Sequence, residues 1–167
     1  MNPQRAPATR FCAMTPQDID AVLQIETAAY EFPWSRGNFI DSLSAGHGAQ
    51  LMCNAQGQLL GYFVAMLGVE EMHLLNLTVA PDVQGRGHGR HLLSVLVELC
   101  RSEAAHSLWL EVRQSNQRAQ SVYDQFGFRA CGLRKGYYPA AQGRREDAVV
   151  MSLDIASVSA RACNEVE

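Results

Sequence analysis

The chain is poor in the features that would announce a metalloprotein, a secreted scaffold or a membrane protein. Its five cysteines (Cys12, Cys53, Cys100, Cys131 and Cys163) are odd in number and widely scattered, with no C-x-x-C pair. That spacing excludes a zinc ribbon or a dithiol redox centre and leaves buried or idle thiols in a reducing compartment. The five histidines (His47, His73, His88, His91 and His106) form no H-E-x-x-H or comparable ligand set, so no metal site is expected. No apolar run approaches the roughly 20 residues of a membrane helix. The longest mostly apolar stretch, Leu59 to Val69, is interrupted by Gly61 and Gly68 and reads as a buried strand. The first ten residues, Met1 to Arg10, have no apolar core, so no secretory signal is expected and the protein is read as cytoplasmic. Repeats and low-complexity segments are absent, and a net charge of −3 with pI near 5.9 disfavours a nucleic-acid binder.

What remains is an ordinary globular composition. With 167 residues, 47% hydrophobic and 19% charged, the chain has about one domain's length and can bury roughly 68–70% of its unfolded surface. The small net charge conceals a split. Residues 14 to 82 carry eight acids (Asp18, Asp20, Glu26, Glu31, Asp41, Glu70, Glu71 and Asp82) against one base, Arg36, whereas residues 83 to 145 carry ten bases against four acids, Glu98, Glu103, Glu111 and Asp124. Two solvated faces of unlike composition would account for it, as would an anionic ligand on the second half and a cationic one on the first.

Strand and helix signals alternate. Arg10 to Met14 reads as a strand. Thr15-Pro16-Gln17-Asp18 then opens a helix, with threonine as N-cap, proline at the first helical position and an acid in the first turn. Ile19, Val22, Leu23 and Ile25 give it an apolar face as far as Tyr30. Phe32-Pro33-Trp34 breaks the chain, and Ser35 caps a short helix through Leu43. Ala49 to Asn54, Gln58 to Gly68 and Met72 to Val79 read as an antiparallel meander joined by short turns. Gly89 to Glu103 is a long amphipathic helix, with Leu92, Leu93, Leu96, Val97 and Cys100 at helical spacing. Ser107 to Val112 is a strand, Asn116 to Phe126 a helix stopped by Gly127, and Phe128 to Tyr138 and Asp147 to Ile155 are closing strands. A flexible N-terminal segment (1–9), one domain (10–155) and an unpatterned tail (156–167) are therefore expected.

The loop Gln84-Gly85-Arg86-Gly87-His88-Gly89-Arg90 joins a predicted strand to the long helix. Glycines at 85, 87 and 89 let backbone N–H groups approach a ligand, the helix N-terminus adds partial positive charge, and Arg86 and Arg90 add full charges. A tight structural turn would use the same glycines. The spacing is neither G-x-G-x-x-G nor G-x-x-x-x-G-K-[ST], so dinucleotide and NTP readings are weak.

Strand, V-x-x-x-x-Q-G-x-G-x-G, then helix resembles the acetyl-CoA pyrophosphate loop of the GNAT family of N-acetyltransferases, and the element order resembles that fold from about residue 10 to 155. Within the family, Phe32-Pro33-Trp34-Ser35, Leu108-Trp109-Leu110-Glu111-Val112-Arg113-x-Ser115-Asn116, Ala119-x-x-x-Tyr123-x-x-x-Gly127-Phe128, Tyr137-Tyr138-Pro139 and Glu146-Asp147-Ala148 look like the ribosomal-protein-alanine N-acetyltransferase type. The fold implied is a mixed α/β architecture, a central, mostly antiparallel mixed sheet flanked by helices. The resemblance further implies acetyl-CoA as cosubstrate, and as partner the basic N-terminal segment of the eighteenth protein of the small ribosomal subunit, acetylated on its alanine. By the same resemblance the amides of Gly85, Arg86, Gly87, His88, Gly89 and Arg90 hold the pyrophosphate, and Leu77, Thr78 and Val79 pair their backbone with the pantetheine and acetyl group. Asn116 contacts the cofactor, Glu111 is the general base and Tyr123 the general acid. Gly85 and His88 depart from the residues common at their positions but leave the glycine spacing intact.

The residue types suit that chemistry. Aminolysis of a thioester needs a neutral amine, a polarised carbonyl and a protonated leaving thiolate. Glu111, between apolar Leu110 and Val112, is expected to have its pKa raised by desolvation. An ordinary strand-end acid paired with Arg113 is what the residues alone leave open beside that role. A tyrosine hydroxyl is an adequate donor to a departing thiolate, although Tyr123 also suits a helix core. Trp34, Tyr137 and Tyr138 fit equally as core aromatics or as walls of a peptide groove. A small-molecule amine acetyltransferase, acting on a polyamine or aminoglycoside, and a non-catalytic CoA-binding module are the other readings.

Overall fold

The structure, a computed structural model, describes residues 8–158. Cys163 and most of the two terminal segments set apart above, 1–9 and 156–167, lie outside the described residues. The elements run β1 (Arg10–Ala13), α1 (Ile19–Ala29), α2 (Arg36–Ser44), β2 (Gly48–Cys53), β3 (Leu59–Leu67), β4 (Glu71–Val79), α3 (His88–Ser102), β5 (Ser107–Arg113), α4 (Gln117–Phe126), β6 (Arg129–Pro139) and β7 (Arg145–Asp154), with short 3-10 turns at Pro16–Asp18, Pro81–Val83, Ala141–Gly143 and Ile155–Ser157. Each predicted element is present with ends moved by a residue or two, except that the first helix opens with the 3-10 turn Pro16–Asp18 and becomes α-helical only at Ile19.

Seven strands form one sheet in the order β1-β2-β3-β4-β5-β7-β6. The pairs β1/β2, β5/β7 and β6/β7 are antiparallel. Residues 54–58 and 68–70, which join β2 to β3 and β3 to β4, are too few for a parallel crossover, so this part is the expected meander. The β4/β5 pair is parallel, with Glu71 opposite Ser107 and Leu74 opposite Leu110. A parallel neighbour requires a long crossover, and the glycine loop with α3 supplies it.

The described residues group into two compact units, 8–64 with 76–96, and 65–75 with 97–158; β3, β4 and α3 contribute to both. In the first, Ile19 and Val22 of α1, Phe39 of α2, Tyr62 and Phe63 of β3 and Leu92, Leu93 and Leu96 of α3 are buried. The cap of α2 is reciprocal: Ser35 Oγ accepts from the Asn38 N–H at 3.2 Å, and Asn38 Oδ1 accepts from the Ser35 N–H at 2.8 Å. Thr15 is the N-cap of the 3-10 turn Pro16–Asp18 that leads into α1, as expected, and the Asp18 carboxylate closes the capping box by accepting from both the N–H and the hydroxyl of Thr15 at 2.8 Å. In the second unit Leu108, Leu110 and Val112 are buried on one face of β5, while Ser107, Trp109, Glu111 and Arg113 alternate onto the other.

Gly61 has a packing role that its place in an apolar run concealed. A Cβ there would lie 2.6 Å from the Thr78 carbonyl oxygen and 3.1 Å from Leu92 Cδ1. Gly61→Ala should therefore lower stability by the ~1–3 kcal/mol typical of overpacking, read as a reduced urea midpoint with unchanged m-value.

Candidate active site

The glycine loop belongs to the first unit. Its shape follows from two residues in the left-handed region, Gly85 (φ 76°) and Gly87 (φ 84°), a conformation that side-chain-bearing residues adopt only with strain. Gln84 Nε2 donates to the Val79 carbonyl at 3.0 Å and ties the loop back to the end of β4. Helix α3 then starts at His88, and the His91 N–H to the Gly87 carbonyl (3.1 Å) closes its first turn. The preceding N–H groups have no intrahelical acceptor, and a Cβ added at Gly87 would meet nothing within 4 Å. A cradle of backbone donors at the N-terminus of a 15-residue helix fits a phosphate group. Burial, reinforced by Arg86, holds His88 below the usual histidine range, so it contributes a neutral ring. Positive charge at the loop rests on Arg86 and Arg90.

Leu77, Thr78 and Val79, the other predicted cofactor segment, end β4 in the same unit. The Tyr30 hydroxyl donates to the Leu77 carbonyl at 3.1 Å and lies 2.8 Å from Thr78 Oγ1, which donates to Asn76 Oδ1 at 2.7 Å. Asn76 Nδ2 donates in turn to both oxygens of Glu26 at 3.2 Å. Tyr62 also donates to Glu26, and the backbone N–H of Trp34 reaches it at 2.9 Å. Glu26 is 1% exposed, a carboxylate inside the apolar stripe of α1 that holds the Phe32-Pro33-Trp34 corner by its backbone. Burial pushes the Tyr30 hydroxyl up to about 12 and the Tyr62 hydroxyl further, so both remain donors.

Glu111 lies in the second unit, in mid-strand on β5. His73 Nε2 on β4 is 2.5 Å from Glu111 Oε2, and Arg134 Nη1 on β6 is 3.3 Å from Oε1. The Tyr138 hydroxyl donates to the Glu111 backbone carbonyl at 3.0 Å. The expected rise in the Glu111 pKa does not occur. Burial does raise it, but the hydrogen bond and charge of His73 and the charge of Arg134 together hold the carboxyl below its usual range. The Arg113 pairing is also replaced. Arg113 donates to the Pro139 carbonyl at 2.8 Å, lies 4.6 Å from the centre of the Tyr138 ring, and is 4.0 Å from Glu146.

Asn116 and Tyr123 are in this unit too. Asn116 is the N-cap of α4, its Oδ1 accepting from the Ala119 N–H at 3.2 Å, which leaves its amide NH2 as the group to turn toward a ligand. Tyr123 is buried on α4, edge-on to Phe128 at 5.5 Å. Glu146 accepts from Ser115 Oγ at 2.6 Å and Asp147 from the Gly136 N–H at 2.8 Å, so the Glu146-Asp147 motif binds β7 to the end of β5 and to β6. Tyr137 is exposed and Trp34 and Tyr138 half-buried.

Sequence reasoning missed His73 and Glu26. The acid in the α1 stripe was a readable signal for Glu26, whereas His73 needs the β4/β5 register. Among the described residues no group of three or more His, Cys, Asp and Glu could hold a metal ion, and no helix is long and apolar enough to cross a membrane. Cys53 and Cys100 are buried and burial raises both thiols, Cys100 to about 11; Cys12 and Cys131 are exposed.

A mostly antiparallel sheet with one parallel pair, β4/β5, crossed over by a 15-residue helix is the fold of an acyl-CoA-dependent transferase. Residues 19–128 match the model of the acetyltransferase (GNAT) family, and the chain belongs to that family, whose members take acetyl from acetyl-CoA. The chain is 37% identical over 137 residues to the [ribosomal protein bS18]-alanine N-acetyltransferase of Haemophilus ducreyi, covering 82% of this chain and 94% of the relative. It is 38% identical over 138 residues to the same-named enzyme of Salmonella typhimurium, covering 83% and 92%. The crystal structure of the ribosomal-protein-S18-alanine N-acetyltransferase from Escherichia coli superposes with a TM-score of 0.81 at 31% identity, covering 92% of this chain and 97% of that one.

Gly87→Val combines a strained backbone with a side chain in the cradle. It should weaken acetyl-CoA binding at least ~10-fold by calorimetry, and unchanged affinity would remove the loop from the cofactor site.

Proposed function

We propose that this chain acetylates the N-terminal alanine of a small-subunit ribosomal protein by direct attack of the α-amine on acetyl-CoA, with no acyl-enzyme. The observation that carries the reading is the engaged Glu111 on β5, within a chain more than a third identical to bS18-alanine N-acetyltransferases over most of its length. The amides of residues 85–90 hold the pyrophosphate, and the backbone of Leu77, Thr78 and Val79 and the Asn116 amide orient the rest of the cosubstrate. Glu111 serves the base side of the reaction. Tyr123 protonates the departing thiolate.

An N-terminal amine, of pKa ~7.7–8.0, is roughly 10–20% neutral at pH 7, whereas a lysine amine at ~10.4 is only ~0.04% neutral. A single modest base therefore suits an α-amine. The reaction occurs in the cytoplasm and involves neither membrane nor direct nucleic-acid contact. The basic character of the peptide follows from the acidic first half. Of its eight acids Glu26 is buried, Asp18 is held by Thr15 and Asp20 pairs with Arg36, but Glu31, Asp41, Glu70, Glu71 and Asp82 remain exposed. Their field favours arginine-bearing peptides in a salt-dependent way.

Acetyl-CoA turnover on alanine peptides, against free lysine and polyamines, tests the function; a preference for polyamines would replace it. Glu111→Gln should cut kcat ~10²–10⁴-fold with little change in acetyl-CoA affinity. Tyr123→Phe should lower kcat with cofactor binding retained. At low salt a basic alanine peptide should show a higher kcat/KM than a neutral one, and added salt should narrow the gap. Equal values at low salt would remove the charge argument.

A further inference from the structure

We infer that the proton acceptor of the reaction is His73, with Glu111 acting through it as the carboxylate of a Glu–His pair. This rests on the acetyltransferase reading above and assigns the base within it. The parallel register sets His73 opposite Trp109, so His73, Trp109 and, two residues on, Glu111 share one face of the sheet, while Met72, Leu74, Leu108 and Leu110 are buried on the other.

Both carboxylate oxygens are engaged, Oε2 by His73 at 2.5 Å and Oε1 by Arg134 at 3.3 Å. The Glu111 side chain is 8% exposed and that of His73 28%. The imidazole therefore stands between the carboxylate and whatever approaches this face. An ionised carboxylate can only accept, so the hydrogen lies on His73 Nε2 and the lone pair of the neutral ring on Nδ1. Glu111 is the one hydrogen-bond partner of His73 among the described residues. A carboxylate that fixes the tautomer of a histidine and stabilises its cation is the arrangement that makes imidazole an effective base.

Glu111 from β5 meets the ring, Arg134 from β6 lies beyond it on the other carboxylate oxygen, and Glu71, two residues away on β4, shares the same face of the strand. The Arg134 side chain is 53% exposed, so solvent screens its charge.

The proton balance is simple. The substrate α-ammonium gives one proton to Nδ1 of His73, and the amine lone pair then forms the C–N bond at the thioester carbonyl. Collapse breaks the C–S bond, and the thiolate takes the Tyr123 hydroxyl proton. The second proton lost by nitrogen restores Tyr123 through solvent, and His73 returns its proton to solvent. Ammonium and thioester become amide, thiol and one released proton.

The test is steady-state kinetics of His73→Ala and His73→Gln on the full chain with acetyl-CoA and an alanine peptide, with and without free imidazole. We expect kcat to fall ~10²-fold or more with acetyl-CoA affinity by calorimetry retained. The acid limb of the kcat–pH profile should flatten, and imidazole should restore part of the activity of His73→Ala but none in Glu111→Gln. A kcat in His73→Gln within about threefold of wild type overturns the inference. So does a loss in His73→Ala that imidazole leaves untouched and that is accompanied by lost cofactor binding or a lowered Tm. If His73→Gln is active while Glu111→Gln is not, Glu111 is itself the acceptor and the functional reading stands. If wild type does not turn over alanine peptides, that reading fails independently of His73.

Discussion

The parallel pairing of β4 with β5 is the constraint on which the chemistry of this molecule depends. Antiparallel neighbours can be joined by a few residues, and most of this sheet is built that way. A parallel neighbour cannot, so the chain must leave the end of β4, cross over and return. The crossover creates a helix N-terminus just past the strand, and a helix N-terminus is a cluster of backbone donors with no internal partner. The same register aligns the half-exposed residues of β4 and β5 on one face, and that alignment brings His73 of one strand to Glu111 of the other.

A second constraint is the carboxylate of Glu26. Leaving a charge inside a unit is costly unless its oxygens are satisfied. Here two hydroxyl and amide side chains, Tyr62 and Asn76, and the Trp34 backbone N–H converge on it. The cluster continues through Thr78 to Tyr30 and the Leu77 carbonyl. One buried acid thus links α1, the Phe32-Pro33-Trp34 corner, β3 and the end of β4. Removing any single partner would leave another buried polar group unpaired, which costs more than the hydrogen bond itself contributes.

Glu111 illustrates how burial and pairing compete. Desolvation alone would make it a stronger base, and the apolar neighbours on its strand favoured that expectation. Two cationic or protonatable partners at 2.5 and 3.3 Å outweigh the desolvation and keep the carboxyl ionised. A carboxylate held in that state orients a neighbour better than it accepts a proton.

Much of this was legible in the chain itself because it is local. Apolar periodicity marks α3, Ser35 marks the start of α2, and alternation marks β5; each depends on residues a few positions apart. The phosphate-suited loop is equally local, since glycine spacing and a following helix are enough to shape it. The partners of Glu111 are not local. His73 is 38 residues away in sequence and Arg134 lies on the far side of β7 in the strand order, so only the β4/β5 register and the insertion of β7 between β5 and β6 decide that these groups meet. For the same reason Arg113, the nearest cation in sequence, does not pair with Glu111; it takes the Pro139 carbonyl and the Tyr138 ring instead. Composition and spacing determined which chemistry-bearing residues exist and which elements carry them. Strand order and register, set by hydrogen bonding across the whole sheet, decided which of them touch and therefore what state of charge they hold.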